Sequence, residues 1–280
     1  MAMISYASNL EDVMIQRVFS DIPDGCFLDV GASNPVFCSL TYALYEKGWR
    51  GVAMEPQDGA DQAWQQARPG DLLLKAGAGS KEGELTLYVY AQAGQISSMS
   101  QETRAHWERN NMLPTSEIKV PILTLNQVIE THLPDTTIHF MSIDVEGMEM
   151  DVLQGLNLDK HRPWLIVLEA TLPGSPIPAH HEWEPYLLNH RYAMVYYDGV
   201  NRYYLAEEHL DLRERFALPP NVWDQYMPFA QVQLQQKVNE LSAEIAVLQE
   251  KLRQAQQVQQ AQQQPPQSIE KKSFFSKLIS

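Results

Sequence analysis

The chain has 280 residues and a formal net charge of −14. Hydrophobic residues make up 44% of it, which is the share of a globular protein and excludes a fibrous or wholly disordered chain. Acidic residues dominate the part before residue 229, and a body of that sign repels a phosphate backbone, so nucleic acid is not expected as a substrate or partner.

The sequence lacks the usual signals for membrane insertion and export. No stretch reaches the ~18 consecutive apolar residues of a membrane span, and the N-terminus has no basic stretch followed by an apolar run. We therefore expect a cytoplasmic protein. Cys26 and Cys38 have a spacing that matches no zinc or redox motif, and both are expected to be core thiols.

Apolar runs alternate with helical stretches in residues 1–228. Strands are predicted at 26–30, 51–54, 71–74, 85–90, 138–143, 164–168, 193–197 and 202–205. Helices are predicted at 8–19, 39–47, 58–67, 148–154 and 182–190. This alternation indicates an α/β fold, a doubly wound and mostly parallel sheet with helices on both faces. A hairpin turn at 198–201 adds one antiparallel strand at the sheet edge.

A heptad pattern follows in residues 229–256 and predicts a coiled coil. Its apolar residues recur at spacings of 4, 3, 4, 3 and 4, namely Leu234, Val238, Leu241, Ile245, Leu248 and Leu252. β-Branched residues at one core position and leucine at the other favour a parallel dimer, but the flanking residues form no complementary charge pairs. A homo-oligomer, dimer or trimer, is therefore expected, and the alternative is a single amphipathic helix packed on the body.

Residues 257–280 begin as a Gln-rich and Pro-containing linker. They end in a basic amphipathic segment, 271–280, which combines lysines with phenylalanine, leucine and isoleucine. Such a segment can dock on a membrane surface or on a partner protein. A terminus with no binding role is the alternative.

Polar residues stand at the predicted strand ends, where an α/β sheet of this kind binds ligands. The first strand leads into Asp29 and Gly31, and Glu55 follows the second strand, at a spacing that suits an acidic residue bound to two ribose hydroxyls. The chain has one glycine here, whereas a dinucleotide site needs several to hold a pyrophosphate. The pattern therefore disfavours NAD and favours S-adenosylmethionine.

A second set of polar residues stands at the end of the strand predicted at 138–143. The string SIDVEGME, residues 142–149, puts three carboxylates within six positions beside a glycine. Carboxylates at a buried strand end are costly without a cation or hydrogen-bond donor nearby. A solvated helix start explains Glu149 but not Asp144, so a functional role is expected for the latter.

These strings occur together with others in a specific order: SYASNLEDV, FLDVGASNP, Glu55-Pro56, KAGAGSKEGELTLYV, Ser97-Ser98, VPILTLNQVI and FMSIDVEGMEMDVLQG. In this order they resemble the FkbM-type methyltransferases, over most of residues 5–207. Those proteins are class I S-adenosylmethionine-dependent O-methyltransferases. The resemblance implies a Rossmann-like seven-stranded sheet with its last strand antiparallel.

The resemblance also implies a set of cofactor-binding residues. Asp29, Gly31 and Asn34 would line the methionine and ribose part, Glu55 would bind the ribose hydroxyls, and Ala76 with Gly77 would border the adenine. The other implied positions are Ala32, Pro56, Ser98, Asp144 and, in a helix over the cofactor, Tyr6, Asn9, Glu11 and Asp12. Two positions depart from the family motifs, since Ser8 replaces a frequent glutamine and Ser142 a frequent lysine.

Removal of the acceptor proton needs a base near the methyl donor. The candidates are Asp144, Glu146, Glu169, His180 and His181. Asp144 and Glu169 could also bind Mg²⁺, but the sequence offers no third ligand, so a metal is not favoured.

The expected function is O-methylation of a sugar hydroxyl in a polysaccharide or glycolipid intermediate, which would cap the chain against extension. The coiled coil and the basic end would then hold the enzyme beside a glycosyltransferase at the inner face of the cell membrane. One alternative is a tailoring enzyme for a small secondary metabolite. The other is a catalytically inactive scaffold assembled through the coiled coil.

Overall fold

The protein is described by a computed structural model for residues 3–90, 96–172 and 175–263. The chain divides into two units, and the boundary falls between Phe229 and Ala230. The first unit contains the sheets and the strand-end residues. The second contains the long C-terminal helix.

The strands are β1 (Met3–Ser5), β2 (Cys26–Val30), β3 (Arg50–Met54), β4 (Leu72–Leu74), β5 (Gly77–Ala78), β6 (Gly83–Tyr90), β7 (Ile96–Ser98), β8 (Ser116–Leu123), β9 (Phe140–Ile143), β10 (Leu165–Glu169), β11 (Tyr192–Tyr197), β12 (Asn201–Ala206) and β13 (Tyr226–Pro228). The α-helices are α1 (Glu11–Val18), α2 (Tyr42–Glu46), α3 (Ala60–Ala67), α4 (Gln101–Arg109), α5 (Leu125–His132), α6 (Glu149–Gln154), α7 (Glu184–Asn189) and α8 (Phe229–Gln263). Short 3₁₀ helices occupy His180–Glu182, Glu207–Phe216 and Val222–Asp224.

The main sheet has seven described strands in the order β11-β12-β10-β9-β2-β3-β4. It is mixed: β10, β9, β2, β3 and β4 pair in parallel, whereas β12 is antiparallel to both β10 and β11. The hairpin predicted at 198–201 is present, but its antiparallel strand is not at the edge as predicted. The return strand β12 pairs along β10, with Leu165 opposite Leu205, and leaves β11 outermost.

Helices cover both faces of this sheet because its central strands are apolar on both sides. All five residues of β2 are buried. Leu28 packs into the cluster that contains Val128 of α5 and Leu153 of α6. Phe27, its neighbour in sequence, points to the opposite face and packs with Met14 of α1. The strand alternation thus divides the core into two layers.

A second sheet, with the order β5-β8-β6-β7, was not predicted. The strand predicted at 85–90 lies here, within β6, rather than in the main sheet. Its neighbour β8 escaped prediction because Pro121 interrupts the run and because the strand is short of apolar residues in its exposed half. The sheet continues into α4, whose Ser100 cap accepts a hydrogen bond from Thr103 N at 3.2 Å.

A buried arginine ties α3 to the end of β2. Arg68 is 1% exposed and donates to Asp71 Oδ2 at 2.8 Å and to Thr41 Oγ1 at 2.9 Å. Its guanidinium also stacks over Trp64 at 4.3 Å from the ring centroid. Thr41 in turn donates to Asp29 Oδ2 at 2.7 Å. The arginine therefore holds the loop that orients Asp29.

The helix α8 runs from Phe229 to Gln263, past the predicted end of the coiled coil at residue 256. Glutamine has good helix propensity, and this explains why the first part of the predicted linker is helical. The basic segment 271–280 lies outside the described residues. Within the described part of the chain, no helix combines the length and apolar character that a membrane crossing needs.

Replacement of Arg68 is expected to destabilise the body strongly. Arg68→Ala leaves Asp71 buried without its cation, and the free energy of unfolding should fall by about 3–5 kcal/mol. Urea denaturation of the full chain measures this. Lys75→Ala is the matched control, because it removes the exposed Lys75–Asp58 pair and should cost less than about 1 kcal/mol. Equal losses in the two variants would contradict the role given to Arg68.

Candidate functional site

A cavity of about 360 Å³ opens at the carboxyl ends of β2, β3, β9 and β10. This strand-end cavity brings together most residues predicted for the site. It is lined by Glu11, Asp29, Gly31, Ala32, Glu55, Pro56, Ala76, Gly77, Ser98, Asp144, Glu146 and Glu169, among others. Six of these carry carboxyl groups, and no lysine, arginine or histidine is among the described lining residues. This lining favours a positively charged ligand over an anion.

Glycine is required at position 31. Gly31 has φ +82°, and a Cβ atom built there would lie 1.8 Å from the carbonyl oxygen of Asp144. The amides of Gly31 and Ala32 both donate to Met54 O, at 3.0 and 3.1 Å. This turn lets the ends of β2 and β9 approach closely enough to form one wall of the cavity.

Asp29 is buried and receives two hydroxyl hydrogen bonds. One comes from Thr41 and the other from Ser142 Oγ, at 2.6 Å to Asp29 Oδ1. The family that the sequence resembles often has lysine at the position of Ser142. The serine hydroxyl thus orients the Asp29 carboxyl with a neutral donor and adds no positive charge beside it.

Glu55 is held from the backbone. Its Oε2 accepts from Ser33 N at 2.9 Å and its Oε1 accepts from Gln57 N at 2.8 Å. Burial raises the pKa of this carboxyl. A carboxylate has about four lone-pair sites, so two acceptor positions remain after these bonds. The donor and acceptor chemistry therefore fits the two hydroxyls of a ribose.

Part of the cavity lining is apolar. Ala76 and Ala78 contribute from the segment after β4, and Leu87 and Met99 contribute from the unpredicted sheet and the segment after it. Leu87 and Met99 were missed because nothing in the sequence brings that sheet to the cavity. A planar base fits against such a surface of methyl and thioether groups.

The loop after β9 is fixed in a conformation unusual for its residues. Glu146 has φ 53° and Gly147 has φ 98°. The carbonyl oxygen of Glu146 accepts from Ser98 Oγ at 2.7 Å and from Thr103 Oγ1 at 2.9 Å. A Cβ atom on Gly147 would lie 2.4 Å from Thr103 Oγ1. The second sheet and α4 thus hold this loop, and Thr103 is a support that sequence reasoning missed.

Asp144, Glu146 and Glu169 form a carboxylate cluster in which one oxygen of each lies within 4.8 Å of the others. Asp144 is accessible from the cavity, but the protein packed around it, with Glu149 and Asp29, raises its pKa. Burial, followed by the charge of Asp144, likewise raises the pKa of Glu146 and of Glu169. Asp144 and Glu169 lie close enough for their charges to oppose each other, which favours a proton on one of the two carboxyls.

The carboxylate cluster supplies the third oxygen ligand that the sequence left unassigned. Asp144 and Glu169 were the predicted pair, and Glu146 completes a set of three that could hold a divalent cation. Glu146 Oε2 is buried and has no hydrogen-bond partner among the described residues. The arrangement can thus bind a cation or a proton.

Glu11, at the start of α1, covers one side of the cavity. Its Oε1 accepts from Asn201 Nδ2 at 3.0 Å and its Oε2 accepts from Asn9 N at 2.7 Å. Burial raises the pKa of Glu11 to about 7. Asn201 lines the cavity at the start of β12, although the sequence predicted it only as part of a hairpin turn.

Four residues predicted to lie at the cofactor do not line the strand-end cavity, namely Tyr6, Asn9, Asp12 and Asn34. Asp12 is buried and accepts a hydrogen bond from Ser5 Oγ at 2.7 Å. The Tyr6 hydroxyl donates to Glu46 Oε2 at 2.9 Å, and its ring packs edge-on against Tyr42, with the centroids 4.7 Å apart. Asn9 is exposed and donates to the carbonyl of Asp198 at 3.3 Å. The Asn34 side chain closes a turn by accepting from two backbone amides. The hydrogen bonds of these side chains stabilise the structure around them instead.

His180 and His181 are not brought into the cavity either. The loop before them folds back along β10, since Ala179 N donates to Ala170 O at 2.8 Å. His180 is consequently buried beside Trp183, and burial lowers its pKa. His181 is exposed.

The segment after Asn34 places an aromatic ring at the cavity. Phe37 lines it and remains 55% exposed, while its amide is held by Asn34 Oδ1 at 2.8 Å. The next residue, Cys38, also lines the cavity and is exposed. The prediction of a core thiol is therefore correct for Cys26 and wrong for Cys38.

Residues 29–194 match the methyltransferase FkbM domain. This segment is more than half of the chain, so the protein belongs to the FkbM methyltransferase family. No curated protein matches the chain in sequence. Among solved structures, the chain is similar to precorrin-6Y C5,15-methyltransferase from Geobacter metallireducens GS-15, with 14% identity, a TM-score of 0.32, and coverage of 66% of this chain and 72% of that one.

The raised pKa of Glu146 predicts a pH-dependent effect on stability. Such a carboxyl stabilises the fold below its unfolded pKa, about 4.3, and loses that contribution as pH rises through its higher folded value. At about pH 9, unliganded Glu146→Gln should therefore be more stable than the wild type by about 1–3 kcal/mol, and the difference should shrink toward about pH 5.

Urea denaturation across this pH range measures the difference. Glu102→Gln serves as the control, because Glu102 is exposed and lies outside the cavity. A constant difference between Glu146→Gln and the wild type at all pH values would contradict the assignment.

Proposed function

We propose that this FkbM methyltransferase transfers the methyl group of S-adenosylmethionine to a hydroxyl oxygen, and that the acceptor is a sugar. The main support for this proposal is the strand-end cavity, whose described charged residues are all acidic. Both Glu55, which can accept hydrogen bonds from ribose hydroxyls, and the carboxylate cluster line it. An acidic cavity suits a cationic cofactor and an uncharged acceptor that must lose a proton.

The residues that would hold the cofactor follow from their chemistry. Glu55 has two acceptor positions for ribose hydroxyls, and the alanine and methionine wall suits the adenine. Asp29 is oriented by two neutral hydroxyls, and its carboxyl would bind the ammonium of the amino-acid part. When bound, the cofactor supplies an electrophilic methyl carbon on a positively charged sulfur.

The carboxylate cluster can take the acceptor proton. As the new oxygen–carbon bond forms and the sulfur–carbon bond breaks, the hydroxyl proton must leave, and a carboxylate oxygen of Asp144 or Glu146 would receive it. A carboxyl with a raised pKa is a stronger base than an ordinary one when it is ionised. The cluster also excludes a negatively charged acceptor.

Phe37 favours a carbohydrate among uncharged acceptors. Its ring is exposed at the cavity and can stack on the apolar face of a sugar, while carboxylates accept hydrogen bonds from the sugar hydroxyls. The loop that carries Phe37 is held by Asn34, so the ring needs little reorganisation to bind. Methylation of a terminal hydroxyl would remove the site for the next sugar, which makes chain capping of a polysaccharide or glycolipid the proposed outcome.

Calorimetric titration with S-adenosylmethionine tests the cofactor. The full chain should bind with a dissociation constant near 1 µM, about −8 kcal/mol. Glu55→Ala should weaken binding by about 10-fold to 100-fold, because hydrogen bonds to a charged group are lost. Glu84→Ala, on the exposed part of β6, is the control and should bind as the wild type does. A thermal melt of Glu55→Ala separates lost binding from lost folding, and absence of binding by the intact chain would refute the proposal.

Phe37→Ala should act on the acceptor alone. With methyl glycosides of defined configuration as probes and a radiolabelled methyl group, we expect KM for the best acceptor to rise about 10-fold with little change in kcat. Glu146→Gln should instead lower kcat by about 100-fold or more, because a base is lost. Mass spectrometry of the product identifies the methylated atom. An unchanged KM for Phe37→Ala would remove the sugar-stacking argument without affecting cofactor binding.

A further inference from the structure

The long helix α8 exposes a continuous apolar stripe. Its 35 residues span about 52 Å at 1.5 Å per residue. The stripe, which we call the seam, consists of six residues that are each 46–65% exposed: Leu234, Val238, Leu241, Ile245, Leu248 and Leu252. Their alternating spacing of four and three residues keeps them on one face of a supercoiled helix.

We propose that two copies of this chain pair along the seam as a parallel, two-stranded coiled coil. The first core position holds the β-branched Val238 and Ile245 and then Leu252, and the second holds leucine at 234, 241 and 248. This combination packs best in parallel dimers. The core residues therefore favour a second copy of this chain as the partner.

The flanking residues permit the parallel arrangement. In a parallel dimer, the residue before a first core position lies beside the residue five places later in the other chain. Each charged residue then meets a neutral one: Lys237 meets Ser242, Glu244 meets Gln249, and Lys251 meets Gln256. All six apolar layers are buried and no like charges are brought together.

The antiparallel arrangement that buries the same six layers brings like charges together. It aligns Leu234 with Leu252 of the second copy, and the flanking positions then place Glu244 opposite Glu244 and Lys237 opposite Lys251. Like charges at these positions are destabilising. The charge pattern thus opposes this alternative.

A staggered antiparallel arrangement has favourable charges but a smaller core. It aligns Glu244 with Lys251 of the second copy, yet it leaves Leu234 without an apolar partner and sets Val238 against Ala255. An exposed ion pair stabilises less than the burial of one leucine side chain. The parallel pair therefore has the lowest free energy of the three.

The orientation determines where the two catalytic bodies lie. Each body ends at Phe229, five residues before Leu234, the first residue of the seam. Parallel helices place both entry points at the same end of the coiled coil. Two methyltransferase bodies would therefore be neighbours, which an antiparallel pair would prevent.

Light scattering after size exclusion tests the pairing with the full chain. The expected mass is twice the 31.9 kDa of one chain. Ile245→Glu should raise the dimer dissociation constant at least roughly 100-fold, because it puts two charges into one core layer. Val247→Glu is the matched control, since Val247 is 54% exposed on the same helix but lies off the seam, and it should remain dimeric.

A monomeric wild type at about 100 µM, a mass three times that of one chain, or equal weakening by the two substitutions would each overturn the proposal. Equal thermal melting of the body in both variants shows that neither result comes from unfolding.

Cysteine cross-linking tests the orientation. In a Cys38→Ser background, which removes the exposed natural thiol, Ile245→Cys faces its own copy only in a parallel, in-register pair. Mild oxidation should then give a disulfide-linked dimer in high yield. An antiparallel pair sets residue 245 against residue 241 or 248 instead, so dimeric protein that fails to cross-link would refute the parallel orientation.

Discussion

The crowding of carboxyl groups at the strand ends is the constraint on which the rest of the body depends. Six of them border one cavity that has no basic side chain among its described lining residues. Burial of unpaired carboxylates is costly, so each must be solvated by donors from the protein or must hold a proton. The fold provides donors for some of them and leaves others without, and this difference separates structural acids from reactive ones.

Asp29 and Glu55 belong to the first kind. Thr41 and Ser142 donate to Asp29, and the amides after β2 and β3 donate to Glu55. Asp144, Glu146 and Glu169 belong to the second kind: they lie close to one another, Thr171 Oγ1 makes only a long hydrogen bond of 3.4 Å to Glu169, and burial raises the pKa of each. A carboxyl with a raised pKa can hold a proton that an ordinary carboxyl would have lost.

The sequence predicted the strand-end residues because they are local: a strand, a glycine turn and a carboxylate stand within a few positions of one another. It could not predict the supports that come from elsewhere in the chain. Thr103 reaches Glu146 from α4, and Leu87 and Met99 reach the cavity from a sheet whose strands carry a proline or weak patterning. The position of His180 outside the cavity could not be predicted for the same reason. The path of its loop depends on the hydrogen bond from Ala179 N to Ala170 O, just after β10, and no local sequence pattern specifies that bond.

Ser142 shows how one departure from a family motif changes the electrostatics of the whole cavity. A lysine in this place would pair with Asp29 and cancel one negative charge beside the ligand. The serine makes a hydrogen bond of 2.6 Å to the same carboxylate and adds no charge. The serine thus adds no positive charge beside Asp29, and the described lining residues of the cavity include no basic side chain. These surroundings would favour the proposed cofactor, which carries both an ammonium and a sulfonium, and would oppose a pyrophosphate.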